Sequence, residues 1–253
     1  MVARILYRYH LPNRCNATLR PAHLSITEYW CYTRAVPEIA TDPTSDLPFK
    51  YVAGDPSLDL VNTVDWTRRG PDRERLTDYR RLTRWAEGAG LLSKPAAEQL
   101  RRRARTRPEA AAAALQEALR VRSILRRLVQ ALLTGEPDAA AWWDFNDLLA
   151  TALRRLRVAP RAAKARGRAT TAVWEWIEPE ERLESMLWPV LRAAADLLTS
   201  DEAARIRTCD GPDCGWMYVD RSRNHLRRWC EMETCGTEAK TRRRRERARR
   251  RRS

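Results

Sequence analysis

Four cysteines, Cys209, Cys214, Cys230 and Cys235, fall close together in the 253-residue chain as two Cys-x4-Cys pairs separated by fifteen residues. Close pairs joined by a longer loop are the layout of a structural zinc site. Each pair grips the metal from one turn, and four thiolates complete a tetrahedron with no open position. Gly211, Pro212 and Gly215 supply a tight turn at the first pair, and Gly236 follows the last cysteine. The expected cofactor is one structural Zn²⁺. Disulfides are the rival use of the same thiols. The first thirty residues carry no continuous apolar core of signal-peptide type, being broken by Arg4, Arg8, Pro12, Arg14 and Arg20, which favours a reducing compartment and hence metal. His225 lies between the pairs; with the tetrahedron already filled, it is expected at the surface or against phosphate. A catalytic zinc needs an open position and a general base, and the pattern offers neither.

Around these cysteines the chemistry becomes that of a polyanion binder. Arg221, Arg223, Arg227 and Arg228 crowd the loop between the pairs, together with Ser222, Asn224 and His225, all able to donate to phosphate oxygens. Lys240 follows Cys235, and positions 242–252 then hold nine Arg, beginning with Arg242, Arg243, Arg244 and Arg245. The whole chain carries a formal +15, and residues 205–253 alone hold 16 basic against 7 acidic side chains. Only four of the 48 basic residues are Lys, so compositional bias accounts for much of the Arg content. It does not account for its placement. Charge gathered at one end points to a polyanionic partner there. Like charges at such density repel, so the free tail is expected to be frayed and to gain helix on phosphate.

The elements that must position these groups are mostly helical. Hydrophobic residues make up 43% of the chain, enough for a real core. Phe49–Gly54 reads as a short strand ending in a turn, and Ser57–Val64 as one or two helical turns. Thr77 is the expected cap of a helix over 78–87 whose Tyr79, Leu82, Trp85 and Ala86 share a face. Ser93 caps the next helix, through about Arg105. The longest helix runs Glu109–Leu133, with Leu115, Leu119, Leu125, Leu128, Val129 and Leu132 at helical spacing. Asp138 opens another, through Leu153. The pattern then alternates over Leu153–Val158 and Thr170–Ile177, a β-hairpin joined by a basic connection. A last helix is expected from Pro179 to Leu198, bent at Pro189. The fold class is therefore mainly α: a helical N-terminal domain with a minor β-hairpin, then a small four-Cys zinc module and a basic C-terminal tail. Residues 1–45 show no sustained period and read as a poorly structured extension; 46–200 form the helical domain, 205–240 the zinc module and 241–253 the Arg-rich tail. The zinc module is expected to fold on its metal independently of the helical domain.

Cys214–Asn224, Arg227–Met232, Cys235-Gly236 and Lys240 together resemble the CGNR zinc-finger family. Members carry this finger behind an alanine-rich domain called ABATE, ascribed to stress-induced transcription regulators, and Leu58-Asp-Leu-Val-Asn-Thr63 is similar to that domain's opening signature. The resemblance implies a mostly α domain and a four-Cys zinc module that binds DNA. One departure stands out. The family's Cys-Gly-Asn-Arg is Cys235-Gly236-Thr237-Glu238 here, replacing an amide and a cation with a hydroxyl and an anion. Zinc ligation is expected to survive, because neither residue is a ligand. Within the ABATE-like signature, Asp59 and Asn62 lie three apart on one face of a turn. They can form a polar pocket for an effector, or a buried anchor that satisfies backbone groups; we favour the anchor.

The leading functional expectation is a zinc-containing DNA-binding transcriptional regulator, with the helical domain sensing a small-molecule effector or forming a homodimer. An RNA-binding or ribosome-associated basic zinc protein is the alternative that charge alone leaves open. No nucleophile with its base and no phosphate-cradling glycine loop stands in the sequence, so an enzyme is not expected. No apolar run approaches the ~18–20 residues that span a bilayer, which excludes a membrane partner of that kind. The expected location is the cytoplasm, on the nucleoid.

Overall fold

Helix starts in this chain are written by short oxygen-bearing side chains and prolines. In the computed structural model, which describes residues 47–67, 69–161 and 171–251, Asp55 accepts from the Ser57 N–H at 2.9 Å ahead of α1 (Pro56–Val61). Asp78 accepts from Arg81 N–H at 2.6 Å ahead of α2 (Tyr79–Gly88), so the cap is Asp78 and not Thr77: its carboxylate is the oxygen that meets the first-turn donors. Ser93 caps α3 (Lys94–Thr106), while Pro108 opens α4 (Pro108–Thr134), which stops at Gly135. Asp138 caps α5 (Ala139–Leu153) through Ala141 N–H at 3.0 Å. The extension assigned to residues 1–45 lies outside the described residues.

Two elements differ from expectation. Phe49–Gly54 forms no strand, because no neighbouring strand lies along it; individual groups pin it instead. The Ala53 carbonyl accepts from Val219 N–H at 2.8 Å, and Tyr51 donates its hydroxyl to the Trp85 carbonyl at 3.1 Å. Pro179 opens only a three-residue 3-10 turn, and α6 begins later, at Leu187–Leu198. Pro189 therefore sits in the first turn, where a backbone N–H has no partner within the helix, and it does not act as a mid-helix bend. On α4, Leu132 is 46% exposed, beyond the end of the buried face.

The helices form one packed body. The short α1 lies against α4 and α6, α5 packs on both α4 and α6, and α2 packs on α3 and α4. A hairpin that the sequence did not announce, β1 (Val64–Thr67) with β2 (Gly70–Glu74), follows α1 antiparallel, with a bulge between Val64 and Trp66. The anticipated hairpin is present as β3 (Leu156–Pro160) and β4 (Ala172–Trp176), pairing Val158 with Trp174. After a 3-10 turn at Asp201–Arg205 come β5 (Ile206–Thr208) and β6 (Met217–Val219), again antiparallel. This third hairpin does not stand apart. β6 packs on α1 and β5 on α4, and Ile206, Trp216, Met217, Tyr218 and Val219 belong to the same buried cluster as Leu58, Leu60 and Leu128.

A buried ion pair locks the centre. Arg122 of α4 grips Glu74 of β2 with two bonds, 2.7 and 2.5 Å, and adds one of 3.1 Å to the Thr63 hydroxyl. Both charged side chains are under 5% exposed, and Glu74 also accepts from Leu76 N–H at 2.8 Å. Removing one partner strands the other charge without water, whereas replacing both by apolar groups does not. Glu74→Ala is expected to cost about 3–5 kcal/mol. The double change Glu74→Leu with Arg122→Met should recover most of that loss. Urea unfolding of the three proteins checks both statements, and a wild-type midpoint for Glu74→Ala would remove the pair from the account.

Candidate metal centre and nucleic-acid interface

The four cysteines meet as their spacing predicts. Cys209 follows β5, Cys214 precedes β6, Cys230 ends the loop after β6, and Cys235 lies in a π-type turn over Met232–Gly236. Their four sulfur atoms all lie within 4.8 Å of one another, with Cys214–Cys230 at 3.9 Å and Cys230–Cys235 at 3.7 Å. A tetrahedral zinc with sulfur ligands at about 2.3 Å requires sulfur–sulfur edges of about 3.8 Å, so the donor set fits that ion. Two backbone donors, Gly211 N–H at 3.3 Å and Cys230 N–H at 3.2 Å, point at the Cys209 sulfur and support it as a thiolate. Hydrogen bonds from the other thiols draw Cys209 below the ordinary thiol range. The same contacts push Cys214 and Cys230 above it. Without a cation the cluster resists carrying four negative charges; a bound Zn²⁺ supplies the compensating charge. A Cβ on Gly211 would come within 2.9 Å of the Cys214 Cβ and 3.1 Å of the Cys235 sulfur, so only glycine fits that turn. Cys15 and Cys31 lie outside the described residues.

The loop arginines do not form a single patch. Arg227 is half-buried and committed inward: it donates to the Trp229 carbonyl at 3.0 Å, the Val52 carbonyl at 2.9 Å and the Cys230 carbonyl, and covers the Tyr218 ring at 4.2 Å. It ties the cysteine loop to residues 47–55. These bonds commit the Nε and one Nη of Arg227 inward, which leaves it less available to phosphate than its exposed neighbours. Arg221 is exposed yet holds Glu202 with two 2.7 Å bonds, which keeps the Glu202 carboxyl below its usual range. Arg228 pairs with Asp210 at 2.7 Å, both half-exposed. Arg223 is exposed and without a partner among the described residues. Lys240 and Arg242, Arg243, Arg244 and Arg245 are exposed on α7 (Thr237–Arg250), a helix whose only buried residue is Ala239. The frayed tail expected from charge repulsion is thus helical. Ala and Arg are strong helix formers, an Arg242–Glu246 pair at 3.7 Å spans one turn, and late arginines suit the helix dipole.

Asp59 and Asn62 both bond to backbone groups. Asn62, 2% exposed, donates its amide to the Met217 carbonyl at 2.8 Å and accepts from Met217 N–H at 3.0 Å, completing both backbone bonds of a residue in β6. Asp59, 8% exposed, accepts from Ala53 N–H at 3.0 Å. Both side chains are thus committed to backbone groups. Other joints between the cysteine segment and the helices had no sequence signal. Gly215 N–H donates to the Trp66 carbonyl at 2.7 Å, and a Cβ there would press to 3.1 Å on Trp66. Arg126 of α4 lies 3.7 Å above the Trp66 ring and donates to the Gly215 carbonyl at 3.0 Å; burial lowers its pKa to about 10, which leaves it charged at neutral pH.

Residues 54–201 match the family model of ABATE, a putative stress-induced transcription regulator, and residues 205–248 match that of the CGNR zinc finger. The chain belongs to the ABATE family and ends in a CGNR finger. No curated protein matches it. The CGNR match runs on past Lys240 and covers most of α7. In the altered signature, the Thr237 hydroxyl bonds the Met232 carbonyl at 3.1 Å and Glu238 sits exposed in the first turn of α7. Neither side chain reaches the sulfur cluster. The ABATE description is that of a regulator, not an enzyme, and among the described residues no helix is long and apolar enough to cross a membrane.

Because the finger shares its core with the ABATE domain, metal removal should reach both, against the expectation of an independent module. Structural zinc contributes roughly 10–16 kcal/mol of apparent binding energy, comparable with a whole domain's stability of ~5–15 kcal/mol. Chelation is therefore expected to release about one zinc per chain and to lower the melting temperature of the ABATE helices as well. Circular dichroism at rising chelator checks this, and a helical transition unmoved by zinc loss would contradict it. The second expectation concerns pH. Burial pushes the Asp59 carboxyl up to about 6, with Asp55 adding to the rise. The folded chain then holds a proton that the unfolded chain releases between about pH 4 and 6, so stability falls as pH rises through that window. Asp59→Asn keeps the acceptor for Ala53 and lacks the charge. It should be about 3 kcal/mol more stable than the parent at pH 7 and close to it at pH 4. Urea midpoints of both proteins from pH 4 to 7 read the difference, in which losses common to both cancel.

Proposed function

We propose that this ABATE–CGNR chain is a DNA-binding transcriptional regulator that works on the nucleoid inside the cell. In this reading Cys209, Cys214, Cys230 and Cys235 hold one structural zinc, and the finger docks on duplex phosphate. The observation that carries the proposal is α7. It leaves the metal site directly after Cys235 and Gly236, and it displays seven Arg and Lys240 with almost no side chain committed to the core. A helix polar on every side gains little from packing and much from a surrounding field of phosphates. Arg223 extends the same charge onto the cysteine loop. Arg228 and Arg221 are held in exposed ion pairs, which phosphate exchanges at little cost; Arg221 also donates to the Gly54 carbonyl, and Arg228 lies over the Trp229 ring. The ABATE domain is left to sense an effector or to pair two copies.

If α7 neutralises about five phosphates, log affinity for a duplex should fall with log salt at a slope of about −4 to −5. Replacing Arg242, Arg243, Arg244 and Arg245 by Gln should flatten that slope by about 3 to 4 and weaken all duplexes alike. Fluorescence anisotropy of full-length zinc-loaded protein across a salt series measures it. Structured RNA competing better than duplex DNA would move the partner to RNA. Binding without salt dependence would overturn the proposal.

A further inference from the structure

Leu226 is 76% exposed, the most exposed large hydrophobic side chain among the described residues. Single exposed leucines are ordinary on surfaces, and a mobile loop would fold one inward or let it wander. This one is held out. Its loop is organised by Asp220, whose carboxylate is fully buried: one oxygen accepts from Ser222 N–H at 2.9 Å and from the Ser222 hydroxyl at 2.6 Å, the other from Arg227 N–H at 3.1 Å. These donors, the Ser222 hydroxyl first, hold the Asp220 carboxyl below the usual range. The Ser222 hydroxyl also accepts from Leu226 N–H at 3.2 Å, and the Ser222 carbonyl from His225 N–H at 3.1 Å. His225 takes a left-handed backbone, φ 50°, which turns the chain sharply at the residue before the leucine. Arg227, immediately after it, is anchored through three carbonyls. The apex is therefore a rigid turn with an apolar tip.

Its surroundings choose the partner. Residues 221–230 contain four Arg and no acid. Arg223 on one side has no partner among the described residues, and Arg228 on the other pairs with the exposed Asp210 and lies 5.6 Å over the Trp229 ring. Trp229 and the half-exposed Met232 line the same cleft as Leu226, and these three apolar side chains make a small patch beside the ~800 Å² that each side of a standard interface buries. An apolar side chain projecting furthest from its neighbours, between cations, is an arrangement by which proteins enter the minor groove, wedge neighbouring base pairs apart and kink the duplex.

We propose that Leu226 is a wedge that enters one base step of duplex DNA from the minor groove, with Arg223 and Arg228 on the flanking phosphates. The proposal rests on the DNA-binding reading above and names how that contact bends its target. The inserted side chain unstacks one step, and the cost falls on flexible pyrimidine–purine steps least, so the wedge also confers a preference for them.

The test uses full-length, zinc-loaded protein, with Leu226→Ala and Leu226→Met, on a duplex carrying a dye at each end. Wild type and Leu226→Met are expected to bend it by roughly 20–90°. Leu226→Ala should bind about tenfold more weakly, without the bend and with an unchanged salt slope. Leu226 is exposed, so zinc content and melting temperature should match in all three proteins. Equal bending by Leu226→Ala, or binding by wild type without a bend, overturns the wedge while leaving DNA binding intact. Loss confined to structured RNA also overturns it. Wild type that binds no duplex at low salt takes the DNA-binding reading down with it, which the first titration reveals.

Discussion

Four sulfur atoms within 4.8 Å of one another are the constraint on which the finger depends. As free thiols they make weak contacts and supply little cohesion; as four thiolates they repel unless a cation lies among them. The chain has already accepted the geometry of that cation. It aims two backbone N–H groups at Cys209, excludes any side chain at Gly211, and closes the last corner with a π-type turn. Such a cluster is stable only if the segments that carry the sulfurs are held from outside. That holding comes from the ABATE domain: Asn62 on Met217, Trp66 and Arg126 on Gly215, Ala53 on Val219. The metal ties the finger to itself, and these bonds tie the finger to the helices.

An arginine-rich chain raises the question of which arginines read a partner and which hold the fold. Desolvation separates them. Arg75, Arg81, Arg122 and Arg227 are buried or half-buried, and each fills several donors with carbonyls or carboxylates that a rigid fork can reach at once. Breaking such an arrangement to meet a phosphate would strand carbonyls away from water. Arg223 and the arginines of α7 bear no such cost, because solvent already surrounds them. Arg221 and Arg228 stand between: their carboxylate partners are themselves partly exposed, which makes the exchange for phosphate cheap, although Arg221 also holds the Gly54 carbonyl.

The metal site was legible because its signal is local. Cysteine spacing fixes which residues meet, and no long-range pairing is needed to read it. Helix positions were legible where period and cap agreed, as at Ser93 and Asp138. What was hidden depends on contacts between distant residues. β1 and β2 contain Pro71 and four charged residues and show no alternation; their stability comes from Arg122 on another element and from the finger against Trp66. Arg227 looked like its neighbours in sequence, and only the position of Val52, Trp229 and Cys230 carbonyls shows it turned inward. The helical form of the arginine segment was hidden for another reason. Repulsion and helix propensity oppose each other there, and sequence alone does not weigh them.

The altered signature Cys235-Gly236-Thr237-Glu238 can be judged on the same physical grounds. Position 237 keeps a hydrogen-bonding side chain, and its hydroxyl satisfies the Met232 carbonyl at the turn. Position 238 stands in the first turn of α7, near the start of the helical run that opens with the π-type turn at Met232, where the helix dipole favours an anion even though the Thr237 N–H already meets the Met232 carbonyl. A glutamate there steadies the start of a helix that has few packing contacts, while an arginine there would oppose the dipole. The same glutamate cancels one positive charge beside the metal. Attraction to phosphate is then weighted toward the later turns of α7 and toward Arg223 on the cysteine loop. The finger keeps its metal geometry under this exchange, and its charge is shifted along the helix away from the sulfurs.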